Sequence, residues 1–201
     1  ISLFNGDGYD YVAEFSEFER RKISVNIIAA NLVQNESKLN LTLLMSIIAS
    51  DKFDWVVQKA VELGVTRLIP IYAQNTQRFK ADKLSSRMEH WRKIILSSSE
   101  QSGRARLLEL LEPLELASAV ASSTAAAKFI LSPHHAGKLS LHAHESVDLL
   151  VGPEGGFNQA EVELAHQAGF NSWQLGGRIL RAETAALSGV SLLQAHFGDF
   201  A

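Results

Sequence analysis

The chain is 201 residues long, with 46% hydrophobic and 20% charged residues and a mean hydropathy of +0.02, a composition of folded globular chains rather than disordered or bilayer-spanning ones. It contains no cysteine, so disulfides, thiolate zinc sites, iron–sulfur clusters and cysteine nucleophiles are excluded, and only His and carboxylate metal sites stay open. The net charge of −3 disfavours a polyanionic partner only if it is evenly spread.

Ile1 to Phe4 alternates like the middle of a strand and Ile1 is not an initiator methionine, so the true N-terminus is expected upstream. The opening residues do not read as a secretory leader, and a cytoplasmic protein is the expectation. A turn at Asn5-Gly6-Asp7-Gly8 leads into strands over Tyr9–Phe15 and Lys22–Ala29, because Asn-Gly and Asp-Gly supply the positive φ that tight hairpins need. Residues 1–36 therefore read as part of a small β domain.

From about residue 40 to 201 apolar runs alternate with helical patterns. Strands are expected at Leu41–Ile48, Val65–Tyr72, Lys128–Ser132, Val147–Val151 and Ser172–Leu175. Helices are expected at Asp51–Leu63, ended by Gly64, at Lys80–Gln101, Glu115–Ala121 and Gln159–Ala168, and at Ala182–His196. Asn158 and Glu161 form a capping-box signature at the start of the fourth, and Gly169 follows its end. Strands separated by helices imply right-handed crossovers and a mostly parallel sheet, an α/β fold.

In such a sheet ligands bind beyond the carboxyl ends of the strands. Two glycine-rich loops leave strands there: Gly152-Pro153-Glu154-Gly155-Gly156-Phe157, and Leu175 to Ala185, which holds Gly176, Gly177, Arg178, Arg181 and Glu183. Each suits close backbone approach to a ligand, with a tight turn and solvated charge as the plain alternatives. P-loop, dinucleotide-fingerprint and nucleophile-elbow patterns are all missing. His142, His144 and Glu145 share a face if extended, but without a distant third ligand they read as surface polar residues, and no metal is expected. His134 and His135 fall in another carboxyl-end loop; His90, His166 and His196 follow helical patterns.

Charge is unevenly spread. Residues 76–106 carry 8 Lys+Arg against 3 Asp+Glu, a net +5, whereas 1–75 carry 7 against 9 and 107–201 carry 4 against 10. Such a band is either a solvated helix face or a phosphate-contacting surface.

Together the loops Gly152–Phe157 and Leu175–Ala185 resemble the signature of the RsmE family, SPOUT-class methyltransferases acting on N3 of a uridine in 16S ribosomal RNA. Gln58–Val65, Glu100-Gln-Ser-Gly-Arg104 and His196-Phe-Gly-Asp199 agree with it, while Gly177 stands at a varied position and Leu107-Leu108 where a proline would be expected. The resemblance implies a homodimer and a SPOUT domain over 40–201 with a C-terminal trefoil knot that holds S-adenosylmethionine. It also implies that residues 1–36 belong to a PUA-like RNA-binding domain. It puts the cofactor against Pro133, His134, Gly152, Pro153, Glu154, Gly155, Leu175, Gly176, Ile179, Leu180 and Thr184. Arg104, Arg178 and Arg181 are then candidates for anion stabilisation, with Glu183 and Glu154 as candidate bases. Arg20, Arg21, Lys22, Arg78, Lys80, Lys83 and Arg106 are candidates for binding 16S rRNA, free or in the 30S subunit. A non-catalytic RNA- or nucleotide-binding module in ribosome assembly is the alternative.

Overall fold

A computed structural model describes residues 1–76, 78–132 and 144–200. The N-terminal strands β1 (Ser2–Leu3), β2 (Tyr9–Glu19) and β3 (Lys22–Leu32) form an antiparallel sheet in that order. Both longer strands run past their expected ends, and bulges between Val12 and Ala13 and between Phe15 and Glu17 keep them in register. This sheet buries little of its own apolar surface: Phe15, Phe18, Ile23 and Ile27 are all exposed, with the Phe15 and Phe18 rings 5.1 Å apart.

The remaining elements in chain order are β4 (Asn40–Ser46), α1 (Ser50–Glu62), β5 (Arg67–Tyr72), α2 (Ala81–Ser102), β6 (Glu109–Leu110), β7 (Leu114–Glu115), α3 (Leu116–Ala121), β8 (Ala127–Leu131), β9 (Ser146–Val151), α4 (Gln159–Gln167), β10 (Asn171–Trp173) and α5 (Ala182–Phe197). Strands pair in parallel in the order β10-β8-β9-β4-β5-β6, with β7 also on β5. The expected α/β architecture with a parallel sheet is therefore present. The two-residue strands β6 and β7 were not expected, being too short to show a period. β10 ends two residues early, which frees Gln174 and Leu175 for the loop beyond it.

Both faces of the sheet are covered. Leu41, Leu43 and Met45 of β4 and Val147, Leu149 and Val151 of β9 point into one core with Phe53, Val57, Trp91, Val190 and Leu193 from α1, α2 and α5. Leu44 and Leu150, one residue out of phase, point into a second with Val120 of α3, Val162 and Ala165 of α4, and Phe170. Each such large apolar side chain contributes about 1.5–3 kcal/mol when fully buried. Gly189 lets α5 lie close on the sheet, since a Cβ there would come within 3.0 Å of Leu149 Cδ2. Among the described residues no helix is long and apolar enough to cross a membrane.

The N-terminal sheet is fastened through one short segment after α2. The Gly8 N–H donates to Ala105 O at 3.0 Å, the backbones of Asp7 and Arg106 pair in an isolated antiparallel β-bridge, and Leu107 packs on Gly6. Gly8 has φ +99, in the left-handed region, and the Arg106 guanidinium occupies the space a side chain there would need.

Candidate functional site

At the carboxyl ends of β8, β9 and β10 lies a cavity of about 850 Å³. Its wall is built by Gly152–Phe157 after β9, by residues 174–176 and 178–182 after β10, by Leu131 and Ser132 at the end of β8, and by Lys52 from the first turn of α1. Side chains of Leu131, Val151, Phe157, Trp173, Leu175 and Leu180 give it an apolar lining, with backbone polar groups of the glycine-rich turns between them.

The first loop is held from both sides. Glu154 Oε1 accepts the Ala49 N–H at 3.2 Å, at the start of α1, which has no side-chain cap of its own; the carboxylate thus complements the helix dipole. On the other side the Asn158 side chain accepts the Glu161 N–H and the Glu161 carboxylate accepts the Asn158 N–H, the expected capping box of α4. Glu161 also accepts the Gln74 N–H at 2.7 Å, tying the turn after β5 to the loop. Gly155 faces that turn, and a Cβ there would sit 3.4 Å from Asn75 Nδ2. Gly152 is tighter, since its Cβ would meet the Phe157 ring at 3.1 Å.

Of the expected cofactor residues, Gly152, Pro153, Glu154, Gly155, Leu175, Gly176, Ile179 and Leu180 all line the cavity. Arg178 and Arg181 line it too, both exposed and neither engaged by an acidic side chain among the described residues. Thr184 is exposed and outside the lining. Pro133 and His134, like His135 and His142, lie outside the described residues.

Two of the expected catalytic residues, Arg104 and Glu183, lie outside the cavity lining. Arg104 is buried, only 6% exposed, and away from the cavity: Nε and Nη2 donate to the two Glu36 oxygens at 3.1 and 2.7 Å, and Nη1 donates to the carbonyls of Val61 and Val65 at 2.8 and 3.1 Å. Four of the five N–H donors of the guanidinium are thus directed at internal acceptors away from the cavity. Glu183 is also buried, in the first turn of α5 and outside the lining, with Lys52 Nζ 3.7 Å from Oε1 and no partner for Oε2 among the described residues. A base would need reach of the ligand. The cavity-lining group of this pair is Lys52, which sequence reasoning missed because it stands inside the first turn of a helix, where a lysine reads as ordinary surface charge.

The basic band is less positive than its count. Arg78 is bound by both Glu115 oxygens and lies 5.1 Å over the Tyr72 ring, Arg87 pairs with Asp54, Arg92 with Glu112, Lys93 with Glu89 and Arg104 with Glu36. The Arg78 guanidinium holds the Glu115 carboxyl below its ordinary range and is itself raised. Lys80, Lys83 and Arg106, and Arg20, Arg21 and Lys22 at the β2–β3 hairpin tip, are exposed and carry no ion pair among the described residues. His90 sits 2.8 Å from Asp54 and His166 2.8 Å from Ser172, while the His144 ring rests edge-on against Phe197. Among the described residues no three His, Asp or Glu side chains are grouped to hold a metal ion.

Comparison with known proteins agrees with this geometry. The pattern of the RNA methyltransferase domain family matches residues 35–194. The ribosomal RNA small subunit methyltransferase E of Buchnera aphidicola (subsp. Schizaphis graminum) is 32% identical over 204 residues, covering 99% of this chain and 82% of that protein. The protein of the same name from Aquifex aeolicus is 31% identical, covering 93% and 82%. The crystal structure of ribosomal RNA small subunit methyltransferase E from Neisseria gonorrhoeae bound to S-adenosyl methionine superposes with a TM-score of 0.92 at 35% identity, covering 100% of this chain and 84% of that one. A Legionella pneumophila protein solved with bound SAM gives 0.93 at 33%, covering 99% and 84%. With a family pattern spanning its whole α/β part and relatives of one name matched over nearly its full length, the chain belongs to the ribosomal RNA small subunit methyltransferase E family.

Proposed function

We propose that the chain transfers a methyl group from S-adenosylmethionine to N3 of a uridine in small-subunit ribosomal RNA. The observation that carries this reading is the convergence of the two glycine-rich loops, 152–157 and 174–181, on one cavity with Arg178 and Arg181 in its wall, neither in an ion pair among the described residues. A volume of about 850 Å³ is near the top of the range for small-molecule sites, leaving room for a base beside the cofactor. The residues fit that cofactor: apolar side chains suit an adenine and the turn backbone suits its polar edge.

Bound there, S-adenosylmethionine supplies a methyl group already activated by its sulfonium. The chain has to orient the nucleophile, worth up to about 7–11 kcal/mol in the best cases, and to make N3 nucleophilic. Arg178, Arg181 and Lys52 put positive charge around the cavity, which favours the uracil anion left when the N3 proton departs to solvent. Glu183 positions Lys52, and Glu154 fixes the first loop to α1.

Three further parts of the reading rest on topology and surface. β10 is at the sheet edge, yet α5, next in the chain, packs on β4 and β9 at its centre, so residues 174–181 cross back over the sheet ends as a trefoil knot requires. The outward face of α5, with Thr184, Leu187, Ser188, Ser191, Leu192 and Ala195, carries no charge, which supports a homodimer through it. The N-terminal sheet with its cationic hairpin tip is read as the PUA-like RNA-binding part, in a cytoplasmic enzyme.

Mass spectrometry of 16S rRNA and 30S particles after incubation with protein and cofactor tests the reaction: a methyl group on uridine N3 is expected, and its absence from both substrates refutes the assignment. Calorimetric binding of S-adenosylmethionine without added methylation would favour the non-catalytic module instead.

A further inference from the structure

Resting on the proposed RNA methylation, we infer that Arg104 and Glu36 are positioning residues: their ion pair, with the guanidinium buried and the carboxylate half-buried, clamps the linker between the two sheets and sets where the N-terminal sheet holds RNA relative to the cavity. Hydrogen bonds from residues 35, 36, 37 and 39 anchor the linker on either side of it. Asn35 Nδ2 donates to Gly103 O at 2.8 Å, Glu36 takes the Arg104 guanidinium in a two-pronged pair, Ser37 Oγ donates to Gln194 Oε1 at 2.7 Å, and the Leu39 N–H donates to Ser37 Oγ at 3.2 Å. Gln194 is fully buried on α5 and passes the link on, its Nε2 donating to Leu63 O at the end of α1 at 2.9 Å.

The geometry explains why arginine stands there. Gly103 ends α2 in the left-handed conformation, φ +72, and turns the next residue inward. The planar fork then satisfies a carboxylate on one side and, on the other, the carbonyls of Val65 and of Val61, the latter also accepting the Gly64 N–H in the last turn of α1. The residues that follow, Ala105 to Leu107, take up the β1–β2 turn. One five-residue segment, 103–107, thus grips the linker with its first half and the N-terminal sheet with its second. The sheet leaves Phe15 and Phe18 exposed, and the backbone bond from Gly8 and the Asp7–Arg106 pairing tie its β1–β2 turn to this segment, so its orientation depends on it. Arg20, Arg21 and Lys22 sit at the far tip of the β2–β3 hairpin, where a small rotation at the clamp becomes a large displacement.

The chain lacks cysteine, so two introduced ones report its shape cleanly. Spin labels on Glu14→Cys in β2 and Ser118→Cys in α3, both exposed, with the labelled protein mixed into an excess of unlabelled protein so that a dimer carries one labelled protomer, are expected to give one narrow distance distribution in the parent. Glu36→Gln and Asn35→Ala should broaden it, and should raise the KM for RNA about tenfold while the Kd for S-adenosylmethionine stays within twofold and kcat at saturating RNA is retained. Arg104→Ala is the obvious variant but empties a buried side-chain site, strips the half-buried Glu36 carboxylate of its cation and takes a donor from the carbonyls of Val61 and Val65, and it is expected to fold poorly, which is why Glu36→Gln and the exposed Asn35→Ala carry the test. An unchanged distance distribution overturns the clamp, as does a broadened one with an unchanged KM for RNA. A rise in cofactor Kd parallel to the KM overturns it too, since that marks a general structural defect. If the parent itself methylates no RNA, the functional reading has failed, and the distance distribution still decides whether the clamp exists.

Discussion

Lys52 and Glu183 meet across the first turns of α1 and α5, Nζ to Oε1 at 3.7 Å, so that one pair joins a cation in the cavity wall to a carboxylate behind it. Removing the lysine strips that buried carboxylate of its cation. Lys52→Ala is expected to lower stability by about 1–3 kcal/mol in urea unfolding, discounted for the partly exposed lysine, and to slow methyl transfer. Glu183→Gln, which leaves Lys52 in the wall, should slow transfer less; an equal loss in both would return Glu183 to the reacting atoms.

Arg178→Ala and Arg181→Ala each remove one cavity cation that no acidic group neutralises among the described residues. Each should cut kcat by about 10²- to 10³-fold, the usual cost of one preorganised charge-stabilising donor, with cofactor affinity by calorimetry nearly unchanged. Full turnover in Arg181→Ala would take that residue out of the mechanism.

Glu154 serves α1 as an external cap, so Glu154→Ala should lower the unfolding free energy by about 0.5–2 kcal/mol. Hydrogen exchange should quicken at Ala49 and in the loop 152–157 together, because one bond holds both.

Exposed cations without ion pairs should dominate the salt dependence of RNA binding. Arg20→Ala or Lys83→Ala is expected to reduce the slope of log affinity against log salt by about 0.7–0.9. Arg92→Ala, whose charge is already met by Glu112, should change it much less. Filter binding from low to moderate salt measures all three.

The Glu115 carboxyl is held low by Arg78, so its folded-state pKa lies below the unfolded value. The stabilisation is therefore complete above the unfolded glutamate value and is lost as pH falls through the depressed folded one. NMR titration should find the Glu115 midpoint below that of an ordinary glutamate and see it rise in Arg78→Gln; because both side chains are largely exposed, the effect on overall stability should be small.

The fold could be read from local pattern because β4, β9 and α1 each carry enough apolar residues to show a period, and β6 and β7, with two residues each, do not. The cavity loops were legible for a different reason: glycine clusters at strand ends restrict what a chain can do there. Arg104 was misread because a guanidinium in a motif looks the same whether it faces a ligand or an internal carboxylate, and Glu36 is remote in sequence. The charge band failed in the same way, since Asp54, Glu112 and Glu115, which neutralise much of it, lie outside residues 76–106.

The centre of the parallel sheet also governs when the molecule can close. β4 pairs with β9 from Asn40 with Ser146 to Met45 with Val151, so a strand made early waits for one made about a hundred residues later. At a synthesis rate of about 5–20 residues per second, that wait lasts about 5–20 s, with Leu41, Leu43 and Leu44 on a strand whose one edge is open. Neighbouring β5 and α1 come from adjacent sequence and can cover only the other side. A nascent chain halted before residue 146 therefore presents an apolar strand edge able to pair with other chains, and the interval in which this protein most needs shelter from aggregation falls before its glycine-rich cavity loops exist.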